Sequence, residues 1–245
     1  MSSRFIVAGR RAVLEAVRGG LASEILIARG SRMTPGLREV VDAAGGIPVR
    51  EADRRELDLL AADHHGVVAR VRPAEPICER ELATTAFAED SLVVVLDGIE
   101  YPQNLGAAAR SAEAAGATMI VTRTRRAADV TPAAVEASSG ALLHLPHSRV
   151  ANIPRALERL KDAGFAIVGL DERSPTSVYE AESPEGRVAV VLGAEGAGMA
   201  RLTREACDVL VSLPMRGHVR SLNASASLAA VLYAFILPGR QASDA

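Results

Sequence analysis

The feature that most limits how this chain can fold is a repeated alternation of short apolar runs with longer helix-patterned segments. The stretch "SLVVVLD" (91–97) is continuously apolar rather than alternating, which suits a strand covered on both faces. "RVAVVLG" (187–193) is of the same kind. Helix-patterned segments bracketed by proline and glycine separate such runs, as in "TPGLREVVDAAGG" (34–46). Strand followed by helix, many times over, predicts an α/β fold with helices wrapped around a parallel sheet. Ligands of such sheets sit beyond the carboxyl ends of the strands, so the loops there are the place to look for chemistry.

The alternation divides in two. The first part predicts strands at "RFIVA" (4–8), "SEILIA" (23–28), "IPVR" (47–50) and "GVVARV" (66–71). Helices are expected at 10–20, 34–46 and 53–62, the last capped by Asp53. This gives a small α/β domain over residues 1–75. Residues 76–90 change character, with charges and no strand periodicity, and read as a linker holding a short helix. Residues 91–240 alternate again. Strands are expected at 91–97, 118–122, 141–146 ("ALLHLP"), 165–170, 187–193 and 208–214. Helices are expected at 105–115, 132–138, 153–164 and 201–205, with a final helix after Asn223.

Charge and cysteine content narrow the partners. With 28 basic and 30 acidic residues, the chain has no overall basic excess of the kind that announces nucleic acid. Residues 1–75 nevertheless carry 12 arginines against 10 acids, so the first domain is slightly basic. Lys161 is the sole lysine; the other cations are arginines, which make planar two-pronged phosphate contacts. Cys78 and Cys207 stand far apart without metal-type spacing and read as reduced thiols of a cytoplasmic protein. No apolar run is long enough to span a membrane, and none at the start suits a signal peptide. No His, Cys, Asp and Glu cluster predicts a metal site.

Three loops at strand ends are rich in glycine, alanine and small polar residues. The first, "DGIEYPQNLGAAARSAEAAG", holds Asn104, Gly106 and Arg110. Gly106 and its alanines let another backbone come close, and an arginine on an apparently buried alanine-rich face needs a partner. The second, "VVLGAEGAGMARL", has Glu195 between glycines spaced G-x-x-G-x-G, unlike the dinucleotide fingerprint. The third, "SLPMRGHVRSLNASAS", places Ser221, Asn223, Ser225 and Ser227 where an apolar helix begins. One of them suffices to cap a helix; four, separated by small residues, also suit a loop that grips a polar ligand. Ser–His–Asp and paired-carboxylate patterns are absent.

These three stretches, in this order, resemble the three motifs of the SpoU (TrmH) family, RNA ribose 2′-O-methyltransferases of the SPOUT superfamily. The likeness spans roughly Ser91 to Leu237. "VAGRRAVLEAV" and "DHHGVVARV" resemble the ribosomal-protein-like RNA-binding domain of an RlmB-type branch. The resemblance implies a C-terminal α/β knot (a deep trefoil), S-adenosylmethionine as methyl donor, an RNA substrate and a homodimer, without metal or membrane. It implies cofactor contacts at Leu192, Gly193, Gly196, Leu213, Met215 and Leu222. Asn104, Arg110, Glu195, Ser221 and Asn223 match the active-centre positions. Arg10, Arg11, Arg54 and Arg55 of the first domain are the expected RNA contacts. Two positions depart from the family pattern: Tyr101-Pro102 stands where Asp-Pro is common, and Ala224 where valine is common.

The expected activity is 2′-O-methylation of a guanosine in 23S ribosomal RNA. The alternatives are a tRNA methyltransferase of the same family, a non-catalytic RNA-binding protein and a dinucleotide-dependent oxidoreductase. The glycine spacing counts against the last, and the intact set of polar site residues against a silent binder.

Overall fold

The computed structural model describes residues 5–72, 76–82, 84–218 and 221–238. The first unit comprises β1 (Phe5–Ala8), α1 (Arg10–Arg18), β2 (Ala22–Ala28), α2 (Pro35–Ala43), β3 (Val49–Ala52), α3 (Arg54–Leu60) and β4 (Val67–Val71). Its four-stranded sheet has the order β1-β4-β2-β3. β4 runs antiparallel to β1 and β2, and β3 parallel to β2. Strands β1, β2 and β3 therefore end at one edge, where all three helices begin. Thr34 caps α2 by accepting the Leu37 N–H, with Pro35 in the first turn, as the sequence pattern predicts. Asp53 does not cap α3 as expected: its carboxylate pairs with Arg29 at 3.1 Å instead and makes no capping bond.

The second unit contains β6 (Leu92–Asp97), α5 (Pro102–Ala114), β7 (Met119–Arg123), α6 (Pro132–Ala137), α7 (Ala141–His144), β8 (His147–Val150), α8 (Ile153–Asp162) and β9 (Ala166–Leu170). It continues through β10 (Val188–Gly193), α9 (Arg201–Glu205), β11 (Val209–Val211) and α10 (Ala224–Val231), which widens into a π-helical turn at Leu232–Ile236. Residues 76–90, expected as a linker, supply β5 (Ile77–Cys78) and α4 (Glu79–Leu82). β5 pairs with β8, so the sheet has seven strands in the order β11-β9-β10-β6-β7-β8-β5, every pair parallel.

Every residue of β6 and β10 is buried, the arrangement the continuous apolar runs predict. Successive side chains point to opposite faces. Leu92, Val94 and Leu96 pack with Leu105 of α5 and Leu228 of α10, while Val93 and Val95 pack with Leu157 and Leu160 of α8. A Cβ on Gly106 would lie 2.4 Å from the Ala134 carbonyl oxygen, so the backbone that approaches this glycine is that of α6.

The strand expected at 141–146 is a helix. Gly140, at φ 93, turns the chain into α7, and the Ser138 hydroxyl accepts the Leu142 N–H, which favours the helical turn over extension. The strand begins only after Pro146, at His147. Glu15 of α1 meets His144 of α7 at 2.9 Å and ties the two units together. No helix among the described residues is long and apolar enough to cross a membrane.

Candidate functional site

The carboxyl ends of β6, β10 and β11 lead into the three motif loops, and one carboxylate joins all three. Glu195 Oε1 accepts hydrogen bonds from Asn104 Nδ2 at 3.1 Å, from Asn223 Nδ2 at 2.6 Å and from the Ala224 N–H at 3.2 Å. Asn223 Nδ2 also donates to Asn104 Oδ1 at 3.1 Å. The other end of the Asn223 side chain caps α10: its Oδ1 accepts the Ser225 N–H at 2.9 Å and the Ser225 hydroxyl at 2.6 Å. Asn223 is thus both the cap of α10 and a member of the Glu195 clamp, and Ser225 shares in the cap. A charge-assisted bond to an ionised carboxylate is stronger than a neutral one, so Glu195 is an effective clamp.

Beside this clamp lies a cleft of about 1180 Å³. Leu192, Gly193, Gly196, Leu213, Met215 and Leu222, the six expected cofactor contacts, all line it, as do Glu195, Ser221 and Asn223. Asn104 reaches its rim through the Glu195 bond. Met215 and Leu222 are apolar yet exposed, and Gly196 and Gly217 have open space where a Cβ would stand. The cleft therefore offers apolar side chains and accessible backbone together. Gly193 differs from these glycines. Its Cβ would lie 2.2 Å from both Gly198 C and Met199 N, so its missing side chain accommodates the return of its own loop.

Arg110 is placed otherwise than its sequence context suggests. It is exposed on α5, makes no ion pair or hydrogen bond among the described residues, and does not line the cleft. The alanines around it are buried; the arginine is not. Arg10, Arg11, Arg54 and Arg55 are exposed at the starts of α1 and α3, hence at the same edge of the first sheet. Arg10 donates to Thr34 Oγ1 at 3.1 Å, and Arg10 and Arg11 border a smaller cleft of about 450 Å³ together with Glu136 and Ser139 of the second unit.

Sequence reasoning missed two strand-end aspartates. Asp97, the last residue of β6, is buried; it pairs with Arg123 at 2.5 Å and accepts the Ala200 N–H at 3.0 Å. It thereby fixes where the glycine loop ends. Asp171 follows β9 and lines the cleft. Arg173 grips it through Nε and Nη2 at 3.0 and 3.1 Å. Burial pushes the Asp171 carboxyl up, but the bonds and charge of Arg173, aided by Arg204, outweigh it and hold the group below its ordinary range. The available signal was an acid closing an apolar strand, in "VVVLD" and "AIVGLD". Among the described residues no group of three or more His, Cys, Asp or Glu could hold a metal ion. Burial raises the Cys207 thiol to about 12, so it stays protonated and unreactive at neutral pH.

A parallel α/β sheet whose three glycine- and asparagine-bearing loops meet on one carboxylate defines a narrow class. Residues 91–233 match the SpoU rRNA methylase family, and residues 6–77 match the RNA 2′-O ribose methyltransferase substrate-binding family. The chain belongs to the SpoU rRNA methylase family. It is 41% identical over 82% of its length to a 23S rRNA (guanosine-2′-O-)-methyltransferase RlmB of Photobacterium profundum, covering 82% of that protein. An uncharacterized tRNA/rRNA methyltransferase of Mycolicibacterium vanbaalenii is 40% identical over 93% of this chain and 74% of its own length. Among solved structures, the SpoU methyltransferase AviRb of Streptomyces viridochromogenes, in complex with the cofactor AdoMet, superposes with a TM-score of 0.77 at 29% identity. That match covers 94% of this chain and 88% of AviRb.

Proposed function

We propose that this chain is an S-adenosylmethionine-dependent RNA ribose 2′-O-methyltransferase whose substrate is a guanosine of 23S ribosomal RNA. The observation that carries the reading is the meeting of Asn104, Glu195 and Asn223 beside a cleft lined by all six expected cofactor contacts. The cleft suits adenosylmethionine: exposed Met215 and Leu222 can cover a flat apolar ring, while the backbone of Gly193, Leu213 and Leu222 can meet its polar edge, with Leu192 and Gly196 alongside. Bound there, the cofactor supplies an electrophilic methyl on a sulfonium.

What remains for the protein is to align a weakly nucleophilic ribose hydroxyl and to help it shed its proton. Asn104, Ser221 and Asn223 orient the RNA side of the pocket, with Glu195 holding the amides in place. Arg110 is permanently cationic, so its role is to hold the substrate phosphate and stabilise the forming alkoxide rather than to act as an ordinary base. Its exposed position away from its own cleft favours a homodimer in which each copy lends Arg110 to the other. Arg10, Arg11, Arg54 and Arg55 on residues 1–75 bind RNA phosphates, and the protein works in the cytoplasm. The trefoil knot belongs to the same reading; it is supported by the return of the chain after β11 to pack α10 on α5, where the Tyr233 hydroxyl donates to the Ala114 carbonyl at 3.1 Å.

The test is methyl transfer from labelled adenosylmethionine to unmodified 23S and tRNA transcripts, with the 2′-O-methyl position mapped. A single 23S guanosine is the expected product. A tRNA product would move the substrate but keep the chemistry, and no transfer to either RNA would reject the assignment. Mixing Arg110→Ala chains with Asn223→Ala chains tests the dimer: partial recovery of activity is expected if the arginine acts across it.

A further inference from the structure

The loops that follow β6 and β7 run side by side. Asp97 holds Arg123 at 2.5 Å, and the Ala128 N–H donates to the Ile99 carbonyl at 2.8 Å. Two residues beyond Ile99 stands Tyr101, and two residues before Ala128 stands Arg126. Ile99 and Ala128 are buried, so they anchor both loops.

Tyr101 is the N-cap residue of α5, with an extended backbone, and it precedes Pro102, which keeps it out of the helix. Its side chain makes no capping bond, and it is 66% exposed. The other two tyrosines, Tyr179 and Tyr233, are exposed as well, but Tyr101 is the one on a motif loop. Asn104, three residues on, is already bound into the Glu195 clamp, so Tyr101 stands within one helical turn of a clamp residue.

The neighbouring arginines are free. Arg125 and Arg126 are exposed, with no ion pair or hydrogen bond among the described residues. By contrast Arg123, Arg149 and Arg173 are each paired to an aspartate. Arg126 also holds φ 53, a backbone conformation that side-chain-bearing residues adopt at a cost. An exposed ring and unpaired guanidinium groups on adjoining loops are the contact set for unpaired RNA: the ring takes a base face, and the planar forks take phosphates. A duplex offers no base face to stack on.

We propose that Tyr101, Arg125 and Arg126 form a contact patch for an unpaired nucleotide flanking the ribose to be methylated. Tyr101 stacks on its base, and the two arginines hold the adjoining phosphates. The patch would give the second unit its own share of substrate selection, beside that of residues 1–75. The proposal rests on the RNA methyltransferase reading above.

The test compares full-length wild type with Tyr101→Ala, Tyr101→Phe and the double variant Arg125→Gln/Arg126→Gln. Two probes are used: the transcript that wild type methylates, and a single-stranded oligoribonucleotide in filter binding. Tyr101→Ala should raise KM for the transcript and Kd for the oligonucleotide by about 5- to 100-fold, with kcat and adenosylmethionine affinity near wild type. Tyr101→Phe keeps the ring and should behave as wild type. The double variant should flatten the slope of log affinity against log salt by about 1.4, the value for two phosphate contacts on a single strand. Unchanged RNA affinity in Tyr101→Ala overturns the proposal, and so does an equal loss in Tyr101→Phe. A shift in oligomeric state by light scattering without loss of RNA affinity would make the patch a protein interface and reject it. If wild type methylates no transcript, the function reading fails; the oligonucleotide data still decide the patch.

Discussion

The two sheets of this protein solve different problems with the same α/β vocabulary. The seven-stranded sheet is parallel throughout, and its central strands β6 and β10 are buried at every residue. A parallel sheet collects strand ends on one edge, so loops 91 and 28 residues apart in sequence meet on Glu195. The four-stranded sheet is mixed, and β3 is exposed at three of its four positions. Between that strand, β2 and α3 runs a surface network in which Arg50 binds Glu24 and Glu56, the kind of exposed pairing that adds little to stability. One sheet thus gathers polar groups onto a single carboxylate at the rim of a cleft, and the other spreads charge over its surface. On the function proposed above, the lesson is a division of labour: positioning for chemistry in the parallel sheet, recognition of RNA mainly in the mixed one.

The strongest way to break that division is through Arg110. Arg110→Ala should lower kcat by roughly 1000-fold or more, the scale of losing a main electrostatic stabiliser, while adenosylmethionine affinity measured by calorimetry stays near wild type. Arg110→Lys should recover little, because a point charge does not replace a planar fork. Substantial turnover in either variant would remove Arg110 from the mechanism.

Next in size is Gly193→Val. The added carbons collide with the Gly198–Met199 backbone, so the glycine loop must move and drag the cleft with it. Adenosylmethionine affinity should fall by about 100-fold or more, equivalent to about 3 kcal/mol, and the melting temperature should fall as well. Unaltered affinity would mean that the cofactor does not depend on this loop.

Acid should act on the parallel sheet specifically. Burial, helped by the Arg149 charge, drives the His147 imidazole on β8 down to about 4. Its Nε2 lies 2.7 Å from Thr122 Oγ1, and its Nδ1 is buried without a partner. Because the folded value lies below that of the unfolded chain, the contribution is complete above pH 6.5. It shrinks as pH falls from there toward 4, by about 3 kcal/mol in all. Urea titrations across that window should show the loss, and His147→Gln should remove most of the slope. An equal slope in the variant would assign the effect to other groups.

The smallest effect concerns the boundary between the two units. A chain beginning at residue 76 keeps β5, whereas one beginning at residue 90 loses that edge strand, buried Leu82 and the Phe87 and Ala88 carbonyls that receive Arg187. The first should bind adenosylmethionine as wild type does and bind RNA about 10-fold more weakly, as expected when a few phosphate contacts are lost at moderate salt. The second should also melt earlier. Equal RNA affinity without residues 1–75 would give the mixed sheet another task.

Much of this was legible in the sequence because it rests on local pattern. Continuous apolar runs marked β6 and β10, and Thr34-Pro35 marked the start of α2. The three loops stood out as a candidate site because their residue types are unusual for helix starts, and the structure brings Asn104, Glu195 and Asn223 together there. What was not legible depends on distant partners. "ALLHLP" is apolar enough for a strand, and only the Ser138 hydroxyl and the turn at Gly140 make it helical. Asp53 looks like a cap until Arg29 is placed beside it. Arg110 sits among alanines that are buried, yet helical rotation turns it outward. Asp97 reads as a mere strand end because its arginine, Arg123, lies on another strand; Asp171 is gripped by Arg173 only two residues on, but its second arginine, Arg204, comes from α9.

The double duty of Asn223 bears on how the protein is made. The start of α10 is stabilised by an amide that also binds Asn104, 119 residues earlier in the chain. A ribosome emits Asn104 first, Glu195 much later and Asn223 last, and contacts so far apart close slowly. The first parallel strands can pair while synthesis continues, but the clamp cannot shut until its third member has emerged. On the reading proposed above, a nascent chain can hold RNA through its first domain but cannot methylate it until the site is whole, and a chain cut short before Asn223 also lacks Leu228, which covers Leu92, Val94 and Leu96.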